Sequence, residues 1–335
     1  MKFRFSRLDA LLLLMTVIWG GNYSVIKSAF REIPPVGFNA LRLTLASSLF
    51  LIAIWAKGTG VVSGKKGTGV VSGHSGNDSR PLQPSGADSR PLHHDSRPLK
   101  HDWAGILFLA IVGQFIYQLL FIAGLARTSV ANSSLLIGCT PIFVALMTAA
   151  LGQERITPMR WAGVALSAFG IYLVVGHGAS LSRASLAGDL TMLAAVLCWS
   201  MATVGSRPLL ARHSPLVVTG YSMAIGSALY VPFAWTDLRH LAWRNVSTSA
   251  WLSIGFSAVF ALCVAYMIWY TAVQRLGNTR TSVYSNVVPI AAMVVAWGWL
   301  GEHIGAMKIA GAAAILLGVA LTKIQESDSP VAKPA

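Results

Sequence analysis

The chain has 335 residues, of which 54% are apolar and only 11% are Asp, Glu, Lys or Arg, and its mean hydropathy is +0.60. That composition excludes the two or three soluble domains that length alone would allow. The net charge of +14 would suit a nucleic-acid binder if the chain were soluble, but among recurring apolar runs it reads as the positive flanks of membrane helices.

Ten runs near membrane length are expected, at 9–29, 35–56, 103–125, 129–151, 158–176, 187–207, 214–235, 249–273, 279–299 and 304–322. Each must be a helix, because lipid offers the backbone no hydrogen bonds. The first follows Lys2, Arg4 and Arg7, as in a signal peptide, but no small-x-small site follows it and its pattern recurs in mid-chain. It is read as a retained helix, and its second half carries Asn22 and Tyr23. The second span holds Arg42, the one strong charge well inside a span. Such a residue either binds an anionic group or anchors structure by bonding carbonyls or snorkelling outward.

Between spans two and three, KGTGVVSG occurs at Lys57–Gly64 and again at Lys66–Gly73, and DSRPL occurs at Asp78–Leu82, Asp88–Leu92 and Asp95–Leu99. The 57–101 tract is too poor in apolar residues to offset its ordering entropy, so a disordered cytoplasmic loop is expected. Its glycine spacing does not fit a phosphate-binding loop, and His74, His93, His94 and His101 lack partners at metal-ligand spacing.

In span three Gln114, Tyr117 and Gln118 fall at i, i+3, i+4, a polar face that should avoid lipid. Span four has Asn132, Ser133, Ser134 and Thr140 around Pro141; span nine has Tyr284, Ser285 and Asn286 before Pro289. Prolines in mid-span kink a helix and leave a carbonyl that needs a partner, so both mark a candidate central site or, more plainly, packing around a kink. Trp199 in span six and Tyr266, Trp269 and Tyr270 in span eight complete the aromatic candidates, with Trp19 and Trp269 also suited to interface anchoring. Gly163 and Gly170 in span five, like Gly311 and Gly318 in span ten, are seven apart and suggest close-packing stripes. Asp9, Glu154, Asp189 and Glu302 lie at span ends, and none at a span centre, which weakens proton coupling. Cys139, Cys198 and Cys263 give no disulfide framework or metal spacing. No metal and no cofactor is expected, and residues 324–335 read as a disordered cytoplasmic tail.

The chain also repeats itself. Asp9, Trp19, Lys27 and Pro35 return 180 positions later as Asp189, Trp199, Arg207 and Pro215, and Pro141, Glu154, Gly163 and Gly170 return 148 positions later as Pro289, Glu302, Gly311 and Gly318. The drop in offset isolates the 57–101 tract as an insertion. Five spans per copy, 1–176 and 177–323, imply opposite orientations: an all-α polytopic membrane protein of ten transmembrane helices in two inverted five-helix repeats. With the N-terminus cytoplasmic, 18 Lys and Arg lie on the cytoplasmic side against 7 outside, so both termini are expected in the cytoplasm.

Several segments together resemble the EamA-type members of the drug/metabolite transporter superfamily. They are Trp19-Gly20-Gly21-Asn22-Tyr23, Pro35 with Leu41-Arg42, Thr140-Pro141-Ile142 with Leu151-Gly152-Gln153-Glu154-Arg155, Trp161-Ala162-Gly163, and Val288-Pro289-Ile290 with Leu300-Gly301-Glu302 and Gly311. The resemblance implies a non-enzymatic exporter of small metabolites, often amino acids, in the inner (plasma) membrane. It implies a cavity ringed by helices of both repeats, with Asn22, Gln118, Ser133, Trp199, Tyr266, Tyr284 and Asn286 as candidates; Arg42 and Gln114 join them from the reading of the spans. Expected partners are a small solute and the bilayer, with a homodimer left open and no nucleic acid. The alternatives are a multidrug or nucleotide-sugar carrier, a membrane-embedded enzyme and a non-transporting scaffold. A single cavity shared by Gln114, Gln118, Tyr284 and Asn286 would favour transport.

Overall fold

The computed structural model describes residues 6–58, 102–152, 158–176, 183–301 and 305–324. Of the expected 57–101 loop, Lys57 and Gly58 instead end α2, and 59–101, like 325–335 of the expected tail, Glu154 and Glu302, lies outside the described residues. Those residues form ten helices and no strand: α1 (Arg7–Ala29), α2 (Pro35–Gly58), α3 (Trp103–Arg127), α4 (Val130–Ala150), α5 (Pro158–Gly176), α6 (Arg183–Leu210), α7 (Pro215–Arg239), α8 (Thr248–Leu276), α9 (278–300) and α10 (Ala306–Ile324). Seven are long and apolar enough to cross a bilayer, and the apolar part of α9, Ser285–Leu300, is a shorter one. Large side chains such as Leu14, Val17, Ile52, Phe233 and Leu252 point outward, and Trp55, Trp235 and Trp299 stand exposed near helix ends. An apolar exterior with Trp near its margins is the surface a bilayer requires. The protein is an all-α polytopic membrane protein.

Helix starts follow from local chemistry. At α1 the Ser6 hydroxyl accepts from the Asp9 amide (3.2 Å) while Asp9 accepts from the Ser6 amide (2.7 Å), a reciprocal cap. Ser129, Ser214 and Ser247 cap α4, α7 and α8, and Pro215 follows its cap where a missing N–H costs nothing. α4 and α9 close at Gly152 and Gly301, both with φ of 66°, a conformation that suits glycine.

The cap of α8 is itself held from the α1–α2 turn. The amide and hydroxyl of Ser247 donate to the two Glu32 carboxylate oxygens at 2.7 and 2.8 Å. These donors, the backbone one first, hold the Glu32 carboxyl below its ordinary range although it is exposed. Because its pKa is lower folded than unfolded, the contact stabilises the fold above the unfolded carboxylate pKa and loses that contribution as pH falls through the depressed value. Thermal unfolding followed across acidic pH should therefore show a small acid-dependent loss that Glu32→Gln removes; identical pH profiles for the two proteins would refute it.

α4 and α9 are both broken. In α4 a turn at Gly138 and Cys139 separates Val130–Ile137 from Thr140–Ala150, and in α9 a tighter turn, Ser285–Val287, separates Asn278–Tyr284 from Val288–Val295. Pro141 and Pro289 each sit in the first turn of the second half, so they begin a helix rather than kink its middle. Hydroxyls supply partners near the break: Thr140 donates to the Ile137 carbonyl (2.6 Å) and Ser285 to that of Ser282. α3 and α8 each contain a π-helical stretch, Leu109–Ile116 and Ser257–Val264, which begin 148 positions apart.

Helix pairing is close. α5 packs on α10, α2 on α7, α3 on α6 and α1 on α9. Gly163, Gly170, Gly311 and Gly318 are buried in the α5–α10 pair, where their small size allows contact. At Gly20 the approach reaches the neighbouring backbone: a Cβ there would lie 2.5 Å from the Ala291 Cβ and 2.9 Å from the Ala292 nitrogen of α9.

Candidate functional site

Where the helices cannot close fully, a small cavity of about 40 Å³ remains in the bundle. α1 contributes Trp19, Asn22 and Tyr23, α2 Arg42, and α3 Tyr117, Gln118 and Phe121. Ile137 stands at the break of α4 and Ser285 and Val288 at that of α9, while Trp199 comes from α6 and Ala261, Leu262 and Tyr266 from α8. Its lining is mostly apolar with a few polar groups, the usual make-up of a small-molecule site.

Arg42 is 2% exposed and is the only charged residue among those lining residues. Its Nε donates to Asn39 Oδ1 (2.6 Å), Nη1 to Ser257 Oγ (3.3 Å) and Nη2 to Gln118 Oε1 (2.9 Å). The network extends as Gln118 Nε2 donates to the Tyr266 hydroxyl (3.2 Å) and Ser257 to Asn22 Oδ1 (2.5 Å). The guanidinium carbon also stands 5.9 Å from the Phe121 ring centroid, on an attractive ring face. All these partners are neutral, so the positive charge is hydrogen-bonded but not neutralised.

The opposite wall is aromatic. Trp199 contacts Trp19 edge-on at 5.8 Å between centroids, Tyr117 at 5.1 Å, Tyr266 at 5.2 Å and Trp269 at 5.5 Å. Trp19 Nε1 donates to the Ala261 carbonyl at 2.9 Å, which fixes its ring across α1 and α8. Interface anchoring is thereby corrected for two residues: Trp269 is fully buried and Trp19 lines the cavity.

Of the residues expected from sequence, Asn22, Arg42, Gln118, Trp199 and Tyr266 meet at this cavity. Gln114, Ser133, Tyr284 and Asn286 do not line it. Gln114 is buried at α7, where a Cβ on Gly226 would come 2.4 Å from its own Cβ. The π stretch explains this: its wider turns shift Gln114 off the face that Tyr117 and Gln118 keep. Ser133 is buried within the first half of α4 and Asn286 in the break of α9, where Ser285 faces the cavity in place of its neighbours. The Tyr284 hydroxyl donates to Asp9, joining the first half of α9 to α1. A comparable contact joins α6 to the start of α4, where Asp189 accepts from Thr128 Oγ1 (2.6 Å) and Asn132 Nδ2 (3.3 Å). Sequence reasoning missed Asn39 and Ser257. Asn39 is three residues from Arg42 on one helix face, a signal that was available, whereas Ser257 is brought in only by tertiary structure.

The pattern of the EamA-like transporter family matches residues 91–176 and 186–324, more than half of the chain. An "uncharacterized transporter" of Archaeoglobus fulgidus is 26% identical over 96% of this chain and 99% of its own length. The "uncharacterized transporter YyaM" of Bacillus subtilis is 27% identical over 64% of this chain and 70% of its own. A "probable terminal-alkyne amino-acid exporter" of Streptantibioticus cattleyicolor is 29% identical over 64% of this chain and 71% of its own. A crystal structure of 19% identity, covering 97% of this chain and all of its own, has the same fold with a TM-score of 0.63. With apolar helices, a central cavity and the family pattern in both halves of the chain, this protein belongs to the EamA-like transporter family.

Proposed function

We propose that the protein is a secondary transporter that exports small metabolites, amino acids or related amphipathic solutes, from the cytoplasm by alternating access. The observation that carries this reading is the cavity itself, lined from seven helices of both halves and by both helix breaks. Gln114, Tyr284 and Asn286 do not share the cavity with Gln118, an arrangement a scaffold would also show, but a scaffold has no need to keep Arg42, Asn22 and Gln118 around one interior space. The amino-acid side of the proposal draws on the relative named as a probable amino-acid exporter.

The two halves act as inverted five-helix repeats, 1–176 and 177–323, in this reading. Support comes from the π stretches 148 positions apart, the paired breaks in α4 and α9, and the matched carboxylates Asp9 and Asp189. By the parity of the spans the Asp9–Tyr284 and Asp189–Asn132 contacts lie at opposite ends of the bundle. Each ties the first half of a broken helix to a neighbour, so releasing one while keeping the other would open one side. In this reading both termini are cytoplasmic and the membrane is the plasma membrane; the excess of Lys and Arg on one set of loops supports that orientation.

Efflux from cells preloaded with a labelled amino-acid mixture tests the proposal. Cells making the intact protein should lose label faster than empty-vector cells, and Arg42→Ala should abolish the difference. Asn286→Ala, one shell further out, should reduce it. No efflux above the control across a broad metabolite panel would end the exporter reading.

A further inference from the structure

We infer that the solute is held by a carboxylate on Arg42, with its apolar body on the aromatic wall, so that the site recognises a monocarboxylate and does not require an ammonium group. The inference rests on the transport reading and adds to it the chemistry that the cavity selects. Three observations carry it. Arg42 is buried at 2% exposure and no carboxylate among the described residues partners it, so its charge stays uncompensated by them until an anion arrives. A guanidinium has five N–H groups; Asn39, Ser257 and Gln118 take three, leaving one donor on each terminal nitrogen for a carboxylate. Asn39, Ser257 and Gln118 also fix the guanidinium plane before the solute binds, which reduces the ordering cost of association.

Charge decides the class. One positive group balances one negative group, so a monoanion fits in full and a zwitterion through its carboxylate alone, whereas a phosphate dianion would leave excess charge in a desolvated space. Among the described residues no Asp or Glu lines the cavity, so nothing there pairs an ammonium, and Arg42 repels cations. Around Trp199 the rings of Trp19, Tyr117 and Tyr266 offer a flat apolar surface for an aromatic or branched body. The geometry thus disfavours a cationic drug as the solute.

The test uses the full chain in lipid nanodiscs and tritiated 3-phenylpropionate, a carboxylate with an aromatic body and no ammonium. Saturable binding above empty nanodiscs is expected, displaced by unlabelled L-phenylalanine and not by phenethylamine. Gln118→Glu is the decisive variant because it keeps Arg42 and sets a carboxylate where Oε1 now stands, 2.9 Å from Nη2. It should fold, shown by an unchanged elution profile and melting transition, and should lose at least tenfold in 3-phenylpropionate affinity. Arg42→Gln should lose as much. Absence of saturable binding to the intact protein, displacement by phenethylamine as good as by phenylalanine, or unchanged affinity in folded Gln118→Glu would each overturn the inference. Amino-acid efflux by the intact protein separates the two ideas: efflux without 3-phenylpropionate binding sinks the carboxylate site alone, and no efflux sinks the transport reading.

Discussion

Trp199→Ala is expected to destabilise the protein by about 3–5 kcal/mol, the range for removing a large aromatic side chain from a packed interior. Trp199 is 3% exposed, and its ring lies within 6.4 Å, centroid to centroid, of Trp19, Tyr117, Tyr266, Trp269 and Tyr270. Those rings belong to α1, α3 and α8, so the loss loosens three helices from α6 at once. Inside a bilayer, water is not driving these contacts. Packing and ring electrostatics supply them, and a hole left by the indole forfeits both. Unfolding of the purified protein by graded addition of SDS should show the shift, with Trp199→Phe falling between the two. Efflux should fall in Trp199→Ala and persist in part in Trp199→Phe. A Trp199→Ala protein as stable and as active as the parent would show that the aromatic wall neither holds the bundle nor contacts the solute.

A second large effect is expected at neighbouring glycines that look alike in the sequence. At Gly20 a single methyl would collide with Ala291 and with the backbone at Ala292, and a backbone atom cannot move aside as a side-chain end does. Gly20→Ala must part α1 from α9 or shift one along the other, at a cost on the order of 1–3 kcal/mol. At Gly21 an added Cβ meets nothing within 4 Å. Gly21→Ala should therefore leave stability unchanged, or raise it slightly through better helix propensity. Melting temperatures of the two variants, measured side by side in one detergent, decide the matter. Equal melting temperatures would mean that α1 and α9 are not in backbone contact.

Much of the architecture could be read from residue order. Hydropathy gave the helices because a bilayer allows few other solutions. Arg42 was conspicuous because charge at that depth is costly, and it lies buried in a hydrogen-bonded network and does not snorkel outward. Gln114 was misplaced because i, i+3, i+4 reasoning assumes α-helical turns, and nothing in LAIVGQFI announces a π stretch. Trp19 and Trp269 were ambiguous because Trp suits both a membrane margin and a packed interior. Tyr284 looked like a cavity residue, yet its hydroxyl reaches Asp9 across 275 positions of chain, a distance that local pattern cannot bridge.

The broken helices have a mechanical consequence. At 1.5 Å per residue the halves of α4, of 8 and 11 residues, are about 12 and 16 Å long, while the apolar layer they must cross is about 30 Å thick. Neither half spans the layer, so each is a short lever with its fulcrum at mid-depth, beside the cavity. In the proposed alternating access, one lever would swing towards its own water face while the other keeps its neighbours. A continuous rod of the same length would have to carry any tilt at one face through to the other.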